Sequence, residues 1–225
     1  MAAKQTKGNC YLCGLELGKV ALKNHIMKAH NEEAGRLCHL LKIEGYSKNY
    51  WLLVEADIES ELYEIDSLLR SVWLECCGHL SAFNIPWIKN DWMDFSDNMD
   101  LKLKEFAIGA KFTHDYDFGS TTRTHITVVD SVYRDRKING VRLLARNVPL
   151  EHNCAECGEP ADYLCEHCAW SWDWDREEEP FYCEACSDKH GEDEYMMPIT
   201  NSPRMGVCGY DGGSDRFVFN IGKFQ

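Results

Sequence analysis

Residues 46–76, YSKNYWLLVEADIESELYEIDSLLRSVWLEC, decide the fold because the hydrophobic period changes inside them. YSKNYWLLVEA (46–56) is a run of aromatic and large apolar residues, the composition of a strand. In the next twenty residues Leu62, Ile65, Leu68, Leu69, Val72 and Trp73 recur at steps of three and four, which predicts an amphipathic helix over 60–76. Ser60 or Asp57 is placed to cap it. Downstream, HLSAFNIPW (79–87) reads as a second strand stopped by Pro86, and DWMDFSDNMD (91–100) as a polar loop. AKFTHDYDFG (110–119) and TTRTHITVVDSV (121–132) read as a hairpin turning near Gly119 and Ser120. The charged turn YRDRKING leads into a last strand, GVRLLARN (140–147). A strand, a helix and then several strands on short connections predict an α+β fold, an antiparallel sheet with a helix packed on one face. NEEAGRLCHLLKIE (31–44) reads as a linker or a continuation of the preceding helix.

The chain has 225 residues and twelve cysteines, which are distributed with a pattern. At the N-terminus Cys10, Cys13, His25 and His30 give C-x2-C-x11-H-x4-H, close to a two-Cys, two-His zinc finger of ββα type. CYLCG makes a thiolate-bearing turn with Gly14 at its end, and VALKNHIMKAH has helical character. Leu17, Leu22 and Ile26 are the candidate core of this module. Some 25 residues bury too little surface to fold alone, so the metal is expected to supply most of the stability.

The C-terminal third carries Cys154, Cys157, Cys165, Cys168, Cys183, Cys186 and His190, with Cys208 after a spacer of seventeen residues. Three C-x2-C pairs, a histidine and one more cysteine make eight ligands, enough for two closed tetrahedral sites. A redox dithiol shares the C-x2-C spacing, and an iron–sulfur cluster is a further option. Three pairs within 33 residues point instead to zinc. His152 and His167 are substitute ligands. Together with the finger, about three zinc ions per chain are expected. Cys38, Cys76 and Cys77 stand apart from these sets and read as buried core cysteines.

The tracts ELYEIDSLLRSVWLECCGHLSAFNI and FTHDYDFGSTTRTHITVV resemble the plasmid pRiA4b open-reading-frame-three-like family, over about residues 43–150. The family occurs in bacteria and archaea, often near mobile elements. The resemblance implies the same α+β fold and no settled activity. MPITNSPRMGVCGYDG resembles the ends of members that carry a cysteine-rich extension. The spacing of that extension is similar to cross-brace modules of the B-box, ZZ and MYND kind. That similarity implies one zinc on Cys154, Cys157, Cys183 and Cys186, and another on Cys165, Cys168, His190 and Cys208. The long spacer before Cys208 departs from those modules. The expected organisation is a finger at 1–35, the α+β domain at 43–150, the cysteine-rich module at 151–215 and a strand or tail at 216–225.

The net charge of −13 is uneven. Residues 1–30 carry five Lys and one Glu, whereas residues 151–225 carry five basic and seventeen acidic residues. Such a surface repels phosphate backbones everywhere except at the finger, where Lys19, Lys23 and Lys28 could meet them. No apolar run approaches the roughly 18–20 residues that span a bilayer. MAAKQTKGNC lacks an apolar signal core, so a cytoplasmic protein without a membrane partner is expected. Phosphate-loop, H-E-x-x-H and G-x-S-x-G motifs are missing. The best catalytic candidate is THDYDFGST, with His114, Asp115, Tyr116 and Asp117, near His79 and His125. Its plainer role is packing and turn formation. Trp170, Trp172 and Trp174 alternate with small or acidic residues, as packing residues or as an aromatic–acidic surface. The sequence thus favours a non-enzymatic zinc protein that recognises a protein partner, with a basic surface as the best match. Nucleic-acid binding through residues 1–30, or an enzyme around His114–Asp117, is the alternative.

Overall fold

The computed structural model describes residues 6–88, 97–134, 140–170, 180–191 and 195–217. Residues 91–96 of the loop expected at 91–100, most of the charged turn before Gly140, Trp172 and Trp174, and the last eight residues lie outside these. In chain order the elements are β1 (Lys7–Cys10), β2 (Glu16–Gly18), α1 (Lys19–Ala29), β3 (Arg36–Glu44) and β4 (Trp51–Asp57). There follow α2 (Leu62–Leu69), continued by a π-helical turn Arg70–Leu74, then β5 (Ser81–Asn84), β6 (Lys111–Tyr116), β7 (Thr122–Arg134) and β8 (Val141–Asn147). The C-terminal elements are β9 (Tyr163–Cys165), α3 (Glu166–Trp170), β10 (Phe181–Tyr182), α4 (Glu184–His190) and β11 (Met196–Pro198).

Eight strands form one sheet in the order β2-β1-β8-β4-β3-β7-β6-β5, and every neighbouring pair is antiparallel. The predicted α+β class, hairpin and last strand are all present. Residues 31–44 are the exception, because β3 is a central strand and neither linker nor helix. RLCHLLKIE lacks a clean period of two because both faces of β3 are covered. Cys38 is buried on this strand, as expected of a core cysteine.

Double coverage also explains the unbroken burial of β4, WLLVEAD. Leu52, Val54 and Ala56 face α2, whose Leu62, Ile65 and Leu69 are fully buried, together with Trp73 from the following turn. Trp51 and Leu53 face the other way, onto Leu22 and Ile26 of α1. The helix α2 starts two residues later than the predicted 60–76 and has no side-chain cap. Its first N–H groups are satisfied by the carbonyls of Leu101 and Met99, 2.9 Å away in each case.

The finger is therefore not a separate bead. Its strand β1 pairs with β8 through Gly8–Asn147, Asn9–Arg146 and Cys10–Ala145, which makes the finger the continuation of the main sheet. Its two core residues, Leu22 and Ile26, belong to a cluster with Leu40, Trp51, Leu53, Leu144 and Ala145. Sheet packing thus shares the stabilising role that the sequence assigned mainly to metal. Arg134 of β7, buried between Glu55 and the finger, also donates to the His30 carbonyl at the end of α1.

The junction depends on close approach at Gly8. A Cβ there would lie 2.2 Å from the Arg146 carbonyl oxygen and 2.5 Å from the Trp51 ring. Gly8→Ala is expected to cost about 1–3 kcal/mol, the usual range for overpacking. A urea titration of the metal-loaded protein checks this, and an unchanged midpoint would show that the finger does not depend on this contact.

Candidate metal centres

Among the described residues, four groups of Cys and His bring their ligand atoms within 4.8 Å of one another. Around an ion with Zn–S bonds of about 2.3 Å, tetrahedral geometry places sulfur atoms about 3.8 Å apart, with somewhat shorter sulfur–nitrogen separations. The groups are readily compared with that figure.

The first is Cys10, Cys13, His25 and His30. The turn between β1 and β2 presents both thiols, and the Gly14 N–H closes it on the Cys10 carbonyl at 2.8 Å. His25 and His30 come from α1 and the residue that ends it. Cys13 Sγ lies 3.2 Å from His25 Nε2, Cys10 Sγ lies 3.7 Å from His30 Nε2, and the two Nε2 atoms are 3.1 Å apart.

The second is Cys154, Cys157, Cys183 and Cys186, the first and third C-x2-C pairs. The same turn recurs, with the Gly158 N–H on the Cys154 carbonyl at 2.9 Å. Strand β10 and helix α4 deliver Cys183 and Cys186, and the Cys157 and Cys183 sulfurs are 3.7 Å apart. Burial opposes ionisation of Cys154, but N–H groups of Cys183, Cys157 and Glu156 outweigh it and bring the thiol down to about 6. Cys186 is pushed up to about 12, chiefly by Cys183. Thiols this close cannot all ionise without a cation among them.

The third group is Cys165, Cys168 and His190. Cys168 Sγ lies 3.2 Å from His190 Nε2, and the Tyr182 ring stacks on the imidazole with centroids 4.0 Å apart. Cys208 is not with them, contrary to the eight-ligand arithmetic. It stands with Cys76, Cys77 and His79 in a fourth group. The physical reason is that residues 199–210 fold back over the central sheet. The Ser202 hydroxyl donates to the Trp73 carbonyl at 2.7 Å, and Arg204 is buried against Asp117 and Thr122. Cys76 and Cys77 are correspondingly not core residues: Cys77 is exposed and Cys76 only half-buried. The missed signal was CCGH, two thiols and an imidazole across a glycine turn. The substitute ligands take no part in any of the four groups: His167 is exposed, and His152 packs its ring on Phe181.

The catalytic candidate THDYDFGST is tied into internal pairs. His114 is fully buried, with Nε2 2.7 Å from Asp66 Oδ1. Asp66 also accepts from Ser81 at 2.7 Å and Arg70 at 2.8 Å. Asp115 accepts from Arg123 at 2.6 and 2.7 Å, Asp117 from Arg204 at 2.8 Å, and the Tyr116 hydroxyl donates to Glu75 at 3.1 Å. Asp117 adopts a positive φ of 65° and receives the Gly119 N–H, as a residue opening a hairpin turn does.

No protein-family model matches the chain, and no curated protein does. Among solved structures it is similar to the crystal structure of a protein of unknown function from Methanosarcina mazei Go1, at 14% identity. The match covers 57% of this chain and 78% of that one, with a TM-score of 0.44. The resemblance to the pRiA4b family rests on the sequence tracts themselves. Among the described residues no helix is long and apolar enough to cross a membrane.

The Asp66 cluster carries a pH signature. Burial pushes the carboxyl up, but hydrogen bonds from His114 and Ser81 outweigh it and hold the acid below its ordinary value. A depressed folded pKa stabilises the protein above the ordinary carboxylate range, and the contribution is lost as pH falls through the lowered value. Asp66→Asn should weaken the fold at neutral pH and flatten the acid limb of its stability profile. Parallel pH profiles for the two proteins would contradict that assignment.

Proposed function

We propose that this is a zinc-binding, non-catalytic recognition protein of the cytoplasm, whose metal groups fix surfaces for a protein partner. The observation that carries the proposal is the fate of the acid and imidazole groups in THDYDFGST. His114, Asp115 and Asp117 are buried, and each is engaged within the protein. None is set as a general acid or base facing a cleft, the arrangement that proton-transfer chemistry needs. The soft ligands are instead gathered in groups on short turns, which a bound metal would order. Thiolate with imidazole is the donor set that zinc favours.

The partner we propose is a basic protein surface. In the cysteine-rich module Glu151, Glu156, Glu159, Asp162, Glu184 and Asp188 are exposed. The nucleic-acid alternative is weakened at the finger itself. Lys19 lies 2.5 Å from Glu44 and also donates to the Lys48 carbonyl, and Lys7 pairs with Glu16 at 3.4 Å. Lys28 remains exposed and Lys23 half-buried, which is a small cationic patch for a phosphate backbone.

Fluorescence anisotropy of the metal-loaded chain distinguishes the two. Labelled Arg/Lys-rich peptides should bind and weaken as salt rises, while labelled DNA and RNA should not bind even at low salt. Nucleic-acid binding that falls when Lys23 and Lys28 are both changed to Ala, with no binding of basic peptide, would replace the proposal with its alternative.

A further inference from the structure

We propose that Cys76, Cys77, His79 and Cys208 form a fourth metal site, a clasp that holds the C-terminal segment to the central domain through a zinc-like divalent ion. The site joins residues 131 positions apart in the chain. It is independent of the recognition role above.

Geometry is the first support. The Cys77 sulfur lies 3.7 Å from that of Cys76 and 3.8 Å from that of Cys208. Both match the edge of a tetrahedron with zinc–sulfur bonds of about 2.3 Å, and both are far beyond a disulfide bond of about 2.05 Å. His79 Nε2 completes the figure, 2.9 Å from the Cys77 sulfur and 3.3 Å from that of Cys208. Three thiolates and an imidazole are a recognised zinc ligand set, and they exclude magnesium and calcium, which take oxygen.

The backbone is bent to present these atoms. Cys208 itself is left-handed, at φ 53°, between Gly206 and Gly209, which are left-handed too. A non-glycine residue held there needs a compensating interaction, and a metal bond is one. On the other side the turn passes through Gly78 at φ 77° and sets Cys77 and His79 toward the same point.

The surroundings suit the charge. Three thiolates around a divalent ion leave one negative charge. The Arg204 guanidinium, buried beneath the site, lies 3.5 Å from the Cys76 sulfur and is fixed by Asp117 and Thr122. Arg204 also sits over the Tyr116 ring, 4.8 Å from its centroid. Support of this kind for a ligating thiolate is what tunes and orients metal sites. Cys77 and Cys208 face solvent, so an ion can enter without opening the core.

The test uses the full chain, loaded with zinc and freed of excess metal. Metal content by mass spectrometry should fall by one equivalent in Cys77→Ser/Cys208→Ser relative to the unaltered protein, with circular dichroism unchanged. Alkylation with iodoacetamide followed by peptide mapping gives a second readout that needs no variant. Cys77 and Cys208 should be shielded in loaded protein and labelled after chelation. Equal metal content in the two proteins would overturn the proposal. So would equal labelling with and without metal, or a cystine between these residues in loaded protein.

Discussion

Thiolates packed within four ångströms of one another repel, and only a cation among them lets all of them ionise together. Among the described residues, four groups of Cys and His bring ligand atoms within 4.8 Å of one another and meet that constraint. It explains the repeated C-x2-C turn closed by a glycine N–H, the short helices α1 and α4 that return a second pair of ligands, and the small sheet β10-β9-β11 between the C-terminal groups. Without an ion the same side chains are in conflict, and Cys183 pushes the Cys186 thiol up to about 12.

The metal groups are joined to a conventional core, not isolated from it. The central sheet is buried on both faces, by α2 on one and by the finger helix α1 on the other. Strand β1 extends that sheet by backbone hydrogen bonds, and the C-terminal segment returns to it through Ser202, Arg204 and the Arg146–Asp215 pair at 2.7 Å. Both ends of the polypeptide therefore depend on the middle. The ligand-bearing turns and the hydrophobic core meet along these contacts.

Much of this was legible in the sequence, for physical reasons. The change of hydrophobic period between residues 56 and 62 fixed the strand and helix, because one face of α2 is buried and the other is wet. Local ligand spacing placed the finger, because two cysteines separated by two residues can share one ion, whereas the similarity to cross-brace modules implied the Cys154 group. What failed was non-local or doubly buried. Strand β3 hides its period because both faces are covered, and Lys42 and Glu44 make it look like a polar connector. Ligand count and the cross-brace similarity put Cys208 with Cys165, Cys168 and His190, whereas its neighbours depend on how residues 199–210 pack against β6 and the turn after α2. CCGH reads as a pair of core cysteines until a distant ligand is brought to it.

The most direct test of the metal account is a crystal of the zinc-loaded chain measured on both sides of the zinc absorption edge. Anomalous difference peaks should stand at the centre of the finger group, the Cys154 group, the Cys165 group and the Cys76–Cys208 group, with sulfur and nitrogen at about 2.3 and 2.0–2.1 Å. Maps without peaks at these groups in loaded protein, or with the same thiols oxidised to cystines, would contradict the account.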